Sequence, residues 1–319
     1  MILDRKAKRY ASPPLRRPLD KGADKPMTKI RKCITPDRHP RTPSVELPSG
    51  TVDTHVHVFE PKYPLDPARG YDPPPSTLDD LRHLHLTLGV DRVVLTQPSV
   101  YGTDNSAIVD SMSTLNTETP NRARAVIACG LDISDDELHT LDARGVRGVR
   151  LNTDNLGGMP IRMDEIPHLC DRIRPLGWHL EFLFPGADIV ELMPIFTALT
   201  VPMSIGHFAY QSATNGIMTP GFKALLELAR AGNTWIKISG ANRVSHTDLP
   251  PYDDVTPMAH ALLDAAPDRL MWGTDWPHPN KYEINPNDGD LVDAAYDWIA
   301  DADLRQKIFA TTPQAFYRF

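Results

Sequence analysis

From about residue 50 onward, short apolar runs alternate with stretches whose apolar residues recur at helical spacing. The first run, Thr51-Val-Asp-Thr-His-Val-His-Val-Phe59, alternates and is rich in β-branched residues, so it reads as a strand. Seven more runs follow at 92–98, 123–129, 146–151, 178–184, 201–207, 234–239 and 269–274. Helical patterns fill the intervals at 76–88, 104–116, 134–144, 163–175, 187–198, 219–231 and 253–265. Ser76, with Asp79 at the third helical position, is placed as the cap of the first helix, and Ser134-Asp-Asp-Glu137 opens the third. Strands alternating with helices predict the α/β class with a parallel sheet, and eight such units favour a single closed (β/α)8 TIM-type barrel over an open sheet. No Gly-x-Gly-x-x-Gly follows any run, which counts against a dinucleotide fold. Residues 288–319 read as two or three extra C-terminal helices packed on the outside.

Composition changes the picture mainly at the N-terminus. Residues 1–48 form a Pro-rich, basic leader expected to be irregular or disordered, and 49–319 form the barrel with no further boundary. Residues 1–50 hold 13 Lys+Arg against 5 Asp+Glu, so with a net charge of −7 overall the remainder carries −15. The leader lacks the aromatic interleaving that reads bases, and the acidic body argues against nucleic acid as a partner. Met27, followed by Thr-Lys-Ile, is a second candidate start, which would leave residues 1–26 untranslated. No apolar run approaches the roughly 20 residues of a membrane span, and no secretory signal opens the chain. Cys33, Cys129 and Cys170 are odd in number and widely spaced, which predicts neither disulfides nor a cysteine metal site. A cytoplasmic monomer or homodimer is expected, without nucleic-acid or membrane partners.

Barrel enzymes build their sites at the C-terminal ends of strands. Strand one ends in His55-x-His57, whose spacing puts both imidazoles on one face. Strand six ends in His207 and strand eight in Asp275, so three histidines and a carboxylate converge if the barrel closes. Such a set at His55, His57, His207 and Asp275 could hold Zn2+ or another divalent metal with a position open for water. Strand five ends in Leu183-Phe184-Pro185 and supplies no ligand, while His179 lies at that strand's far end. The reading therefore leans towards no obligatory metal. His278 falls in the loop after strand eight as a substrate or supporting residue. His83, His85 and His139 are assigned to solvated helix faces, Glu60 to a loop charge, and Gly157-Gly158 to a flexible or tightly turned lid segment.

These pieces resemble the amidohydrolase superfamily, and within it the lactonase branch typified by 2-pyrone-4,6-dicarboxylate lactonase. The matching segments are Asp53-Thr-His-Val-His-Val-Phe59, Gly102-Thr-Asp-Asn105, Arg147-Gly-Val-Arg-Leu-Asn152 and Trp272-Gly-Thr-Asp-Trp-Pro-His-Pro-Asn280, over roughly residues 50–319. The resemblance implies a hydrolase opening a small anionic lactone, with Asp275 as base and His55, His57 and His207 polarising the carbonyl. Arg150 and Arg243 would grip the substrate carboxylate, and Tyr71, Asn105, Tyr210 and His278 would add contacts. The branch works in part without metal, although related decarboxylases and some sugar lactonases bind Zn2+. Where the dicarboxylate lactonase carries two further arginines and a tyrosine, this chain has Leu156, Tyr210 and Leu183. Fewer arginines point to a mono-anionic or polyhydroxylated lactone, with Asn152, Asn155, Tyr210 and Gln211 free to meet hydroxyls. A metal-dependent decarboxylase of an aromatic acid and a lactone isomerase are the alternatives, and a silent binding protein is the remaining one.

Overall fold

The computed structural model describes residues 30–155 and 157–319. Leu156 and residues 1–29, the candidate start at Met27 included, lie outside the described residues.

Eight parallel strands form one sheet: β1 (Val52–Val56), β2 (Arg92–Thr96), β3 (Ala123–Ile127), β4 (Val146–Asn152), β5 (His179–Leu183), β6 (Met203–Ile205), β7 (Thr234–Lys237) and β8 (Leu270–Met271). Each pairs with its sequence neighbours from β1 to β8. The sheet curls until its edges meet, making the nearly closed barrel that the alternating pattern predicts. Backbone bonds cross the seam from Thr54 N–H to the Trp272 carbonyl at 3.2 Å and from Asp275 N–H to that of His55 at 2.9 Å. The Asp53 carboxylate reinforces it, accepting from the Thr274 amide at 2.9 Å and the Thr274 hydroxyl at 2.6 Å.

Helices cover the outside, and the largest apolar cluster lies between them and the strands. The first, α1 (Leu78–Leu88), is capped one residue later than expected. Thr77 accepts from Asp80 N–H and Asp80 bonds back to the Thr77 amide, whereas Ser76 pairs with Phe59. Glu60 is more than a loop charge, since its carboxylate accepts the Leu78 amide at 2.7 Å at the positive end of α1. Ser134 caps the helix Asp135–Arg144 as its pattern foretold.

The final helices correct the expectation of purely external packing. Asp288–Trp298 and Ala302–Gln306 are peripheral, but Thr312–Tyr317 runs to the barrel's lower mouth. There Tyr317 is fully buried against Val52, Val94, Val126 and Met271, which seals the end opposite the strand termini. The described part of the leader is also engaged. Arg31–Lys32 pairs in parallel with Tyr71–Asp72, Cys33 N–H reaches the Asp72 carbonyl at 2.8 Å, and Ile34 N–H reaches that of Lys281 at 3.0 Å. Further on, Arg41 bonds Asp290 at 2.7 Å.

Candidate functional site

Strand β1 carries His55, His57 follows its last residue, and the strand's register against β2 shifts between Asp53 and Val56. Such an irregularity re-aims side chains, so Val52 and His55 both face the interior although they are an odd number of residues apart. His57 donates from Nδ1 to the Thr96 carbonyl at 2.7 Å, which leaves Nε2 unprotonated towards the pocket. His55 is buried and lies outside the pocket lining, its Nε2 4.0 Å from Asp275 Oδ1 and without a hydrogen-bond partner among the described residues.

The other two members stand on unusual backbone. His207, Phe208, Ala209 and Tyr210 all have φ between 51° and 54°, a left-handed turn of four residues. L-residues there cost about 1–2 kcal/mol each, and the turn persists because it is buried and packed. It aims His207 at the barrel axis, with Nδ1 2.9 Å from Ser239 Oγ and Nε2 3.4 Å from Asp275 Oδ1. Asp275 also has a positive φ, 67°, directly above the seam. Its Oδ2 receives the Arg243 Nε–H, and His278 Nδ1 stands 4.0 Å behind it. The four residues expected to converge do so.

Electrostatics assign their protonation. Burial is the main cause that lowers all three histidines, taking His57 and His207 to about 3 and His55 well below its ordinary value. They are neutral at physiological pH. Burial pushes the Asp275 carboxyl up, but the Arg243 guanidinium and then His207 outweigh it and bring it down to about 2. With neutral histidines, Arg243 is the full cation in direct contact that keeps this carboxylate ionised.

A pocket of about 420 Å³, counting its open mouth, lies over these groups. Arg150, Tyr71, Tyr210, Arg243 and Leu183 line it, as do Asn152 and Asn155. Arg150 donates from Nη1 to the Gln97 carbonyl at 2.7 Å, its Nε has no partner, and no carboxylate pairs with it among the described residues. Such a buried, unpaired guanidinium is an anion receptor in waiting.

Three expected contacts fall elsewhere. Asn105 does not line the pocket; its amide bridges the Thr103 and Ala128 carbonyls at 3.0 and 2.8 Å and accepts the Ala128 amide at 2.9 Å. His278 is wholly buried behind Asp275, with Nε2 3.1 Å from Asp288 Oδ1. Gln211 bonds the Gly186 carbonyl at 2.7 Å and does not reach the pocket lining. The Gly157-Gly158 segment is tightly turned: a Cβ on Gly158 would come within 2.5 Å of the Asn152 carbonyl oxygen.

Two strand residues went unnoticed in the sequence. Glu181 on β5 and Lys237 on β7 are buried and paired at 2.5 Å, directly beneath His55. β1, β5 and β7 are not neighbours in the sheet, so this contact crosses the barrel interior. The signal was present: one acid and one base stand alone in apolar runs, each on the inward register. His85 corrects another expectation, being buried with Nε2 3.3 Å from Asp53 Oδ2, whereas His83 and His139 are exposed.

His55, His57 and Asp275 each offer one atom within 4.8 Å of the others, a spacing that could hold a metal ion. His57 suits that task, since Thr96 fixes its Nδ1–H and frees Nε2. His55 does not, because Lys237 Nζ stands 3.2 Å from its Nδ1 and donates to it, which leaves the ring proton on Nε2.

The amidohydrolase family model matches residues 52–319. The 2-pyrone-4,6-dicarboxylate hydrolase of Comamonas testosteroni is 36% identical over 88% of this chain and 93% of its own. The 4-sulfomuconolactone hydrolase of Hydrogenophaga intermedia is 34% identical over 90% of this chain and 94% of its own. A solved structure from Acinetobacter baumannii, a candidate 2-pyrone-4,6-dicarboxylic acid hydrolase with citric acid bound, superposes with a TM-score of 0.72 at 25% identity, covering 85% of this chain and all of that one. The chain belongs to the amidohydrolase family of enzymes.

Proposed function

We propose that this enzyme hydrolyses a small anionic lactone by direct attack of water on the ring carbonyl. The observation that carries the reading is a buried carboxylate ringed by neutral histidines, beside a buried arginine that has no acid partner among the described residues. The names of the two curated relatives and the citrate held by the Acinetobacter protein agree with a carboxylated lactone.

Arg150 takes the substrate carboxylate, and Tyr71 and Tyr210 border it. The carbonyl oxygen is placed beside Asp275 towards His55 Nε2–H, which lies outside the pocket lining and donates where negative charge develops. Asp275 accepts a proton from water as its oxygen bonds to the carbonyl carbon. The tetrahedral intermediate then expels the ring oxygen, which takes the proton from Asp275. One ester bond breaks, one water is consumed, and a hydroxy acid leaves. Neutral histidines suit donors and acceptors that guide protons without adding fixed charge. One guanidinium without a paired carboxylate among the described residues, beside Tyr210, Asn152 and Asn155, suits a lactone with one carboxylate and further hydroxyls.

The test is turnover of a panel of carboxylated pyrones, muconolactones and aldonolactones, with and without chelator. Release of free acid that survives chelation is the expected result. Ring migration without acid would move the assignment to an isomerase, and release of carbon dioxide to a decarboxylase.

A further inference from the structure

The Lys237–Glu181 pair is an expensive thing to bury and touches no surface of the pocket. Both side chains are at most 1% exposed, and an ion pair taken fully out of water is weak evidence for stability. Its geometry gives it another use. The Lys237 ammonium has three protons and three acceptors: Glu181 Oε2 at 2.5 Å, the Thr54 carbonyl at 2.8 Å and His55 Nδ1 at 3.2 Å. An ammonium only donates, so His55 Nδ1 must accept, and a neutral imidazole then carries its proton on Nε2. That Nε2 is buried beside Asp275 and has no protein partner among the described residues.

We propose that Lys237, anchored by Glu181, is a positioning residue that fixes His55 in the Nε2–H tautomer, making it a donor to the substrate oxygen and closing it to metal coordination. The catalytic half of this inference rests on the lactonase reading, and the tautomer itself does not. Glu181 Oε1 lies 3.4 Å from the same Nδ1 and has no hydrogen-bond partner. Without Lys237 that oxygen could accept an Nδ1 proton, and the ring would present a bare Nε2 to His57 and Asp275. One ammonium thus selects between a hydrogen-bond donor and a metal ligand.

The tautomer is read in the full-length, uniformly 15N-histidine-labelled protein by long-range 1H–15N correlation, with His55→Gln used only for assignment. The expected wild-type pattern is an unprotonated Nδ1 and a protonated Nε2, unmoved by one equivalent of Zn2+. A protonated Nδ1, or a His55 signal displaced by Zn2+, overturns the proposal, and this measurement needs no variant to fold. In Lys237→Met the proton is expected to move to Nδ1, Zn2+ binding measured by calorimetry to appear, and kcat to fall by about 10²–10³ with KM little changed, the loss typical of one oxyanion donor. A folded variant that keeps the Nε2–H pattern and wild-type kcat also overturns it. Wild-type protein that shows the Nε2–H pattern yet turns over no lactone would refute the hydrolase reading alone.

Discussion

Replacing Arg243 with methionine isolates what the guanidinium does to Asp275. The two side chains are in direct contact, and both are essentially out of water. Burial alone would hold the carboxyl above its ordinary 3.8, yet it sits at about 2, with the guanidinium the largest opposing influence. Nearby opposite charge commonly moves a carboxyl by about 1–3 units, so its loss should carry Asp275 up by about 2 units or more. At 1.36 kcal/mol per unit, that is about 3 kcal/mol, in line with the roughly 3–5 kcal/mol lost when one member of a buried pair is removed. The sign with pH follows. In the native protein the carboxyl lies below its unfolded value, so its contribution is full above that value and fades as pH falls through about 2. In the variant the carboxyl lies above its unfolded value, so the penalty is full at neutral pH and shrinks as the group protonates. The assay is kcat/KM from pH 3 to 9, with thermal unfolding at pH 3 and 7.5. The acid limb should move up by about 2 units, from about 2 to about 4, and the melting deficit should be larger at pH 7.5 than at pH 3. Loss of grip on the substrate lowers the whole profile without moving its limb, and a substrate carboxyl titrates alike in both proteins. An unmoved limb with equal deficits at both pH values would refute the account.

Asp275→Asn should lower kcat by at least about 10² if the carboxylate is the general base, and undiminished turnover would remove it from that role. Arg150→Met should raise KM by about 10–100-fold, the equivalent of one charged hydrogen bond of about 1.5–3 kcal/mol. The same variant should melt at or above the wild-type temperature, because the cation it removes has no acid partner among the described residues; a lower melting point would show that Arg150 is structural. Ala209→Gly should be neutral or stabilising by up to about 1 kcal/mol, since glycine escapes the left-handed penalty at φ 53° but loses chain entropy. Denaturant unfolding decides that point, and a marked loss would mean that the methyl group's packing outweighs the backbone conformation.

The barrel was legible because its evidence is periodic: eight apolar runs need only be counted, and their order follows from connectivity. The convergence of His55, His57, His207 and Asp275 followed from the rule that strand ends meet at one mouth. What stayed hidden depends on proton placement and on partners distant in sequence. Asn105 matched a family segment, but nothing in the sequence says that its amide is held by the backbone of residue 128. His85 sits on a helix that is polar by composition, and only the proximity of Asp53 shows why it is buried. Lys237 and Glu181 are visible as isolated charges in apolar strands, but their pairing joins residues 56 positions apart on strands that are not neighbours in the sheet. The Ser76 cap missed by one residue because Thr77 offers the same chemistry with Asp80 in reach.

The seam between β1 and β8 sets the order in which the molecule becomes an enzyme. His55 and His57 lie just inside one edge of the sheet and Asp275 just beyond the other, and the Asp53–Thr274 contact that locks them spans 221 positions. Within the eight-stranded sheet every other pairing is between sequence neighbours and can form while the chain is still an open ribbon. Such a ribbon would hold most of its helices and much of its apolar core and yet have no catalytic centre. Recovery of turnover during refolding is therefore a clock for ring closure, and it should trail the return of helical signal by the time this long-range contact takes to form.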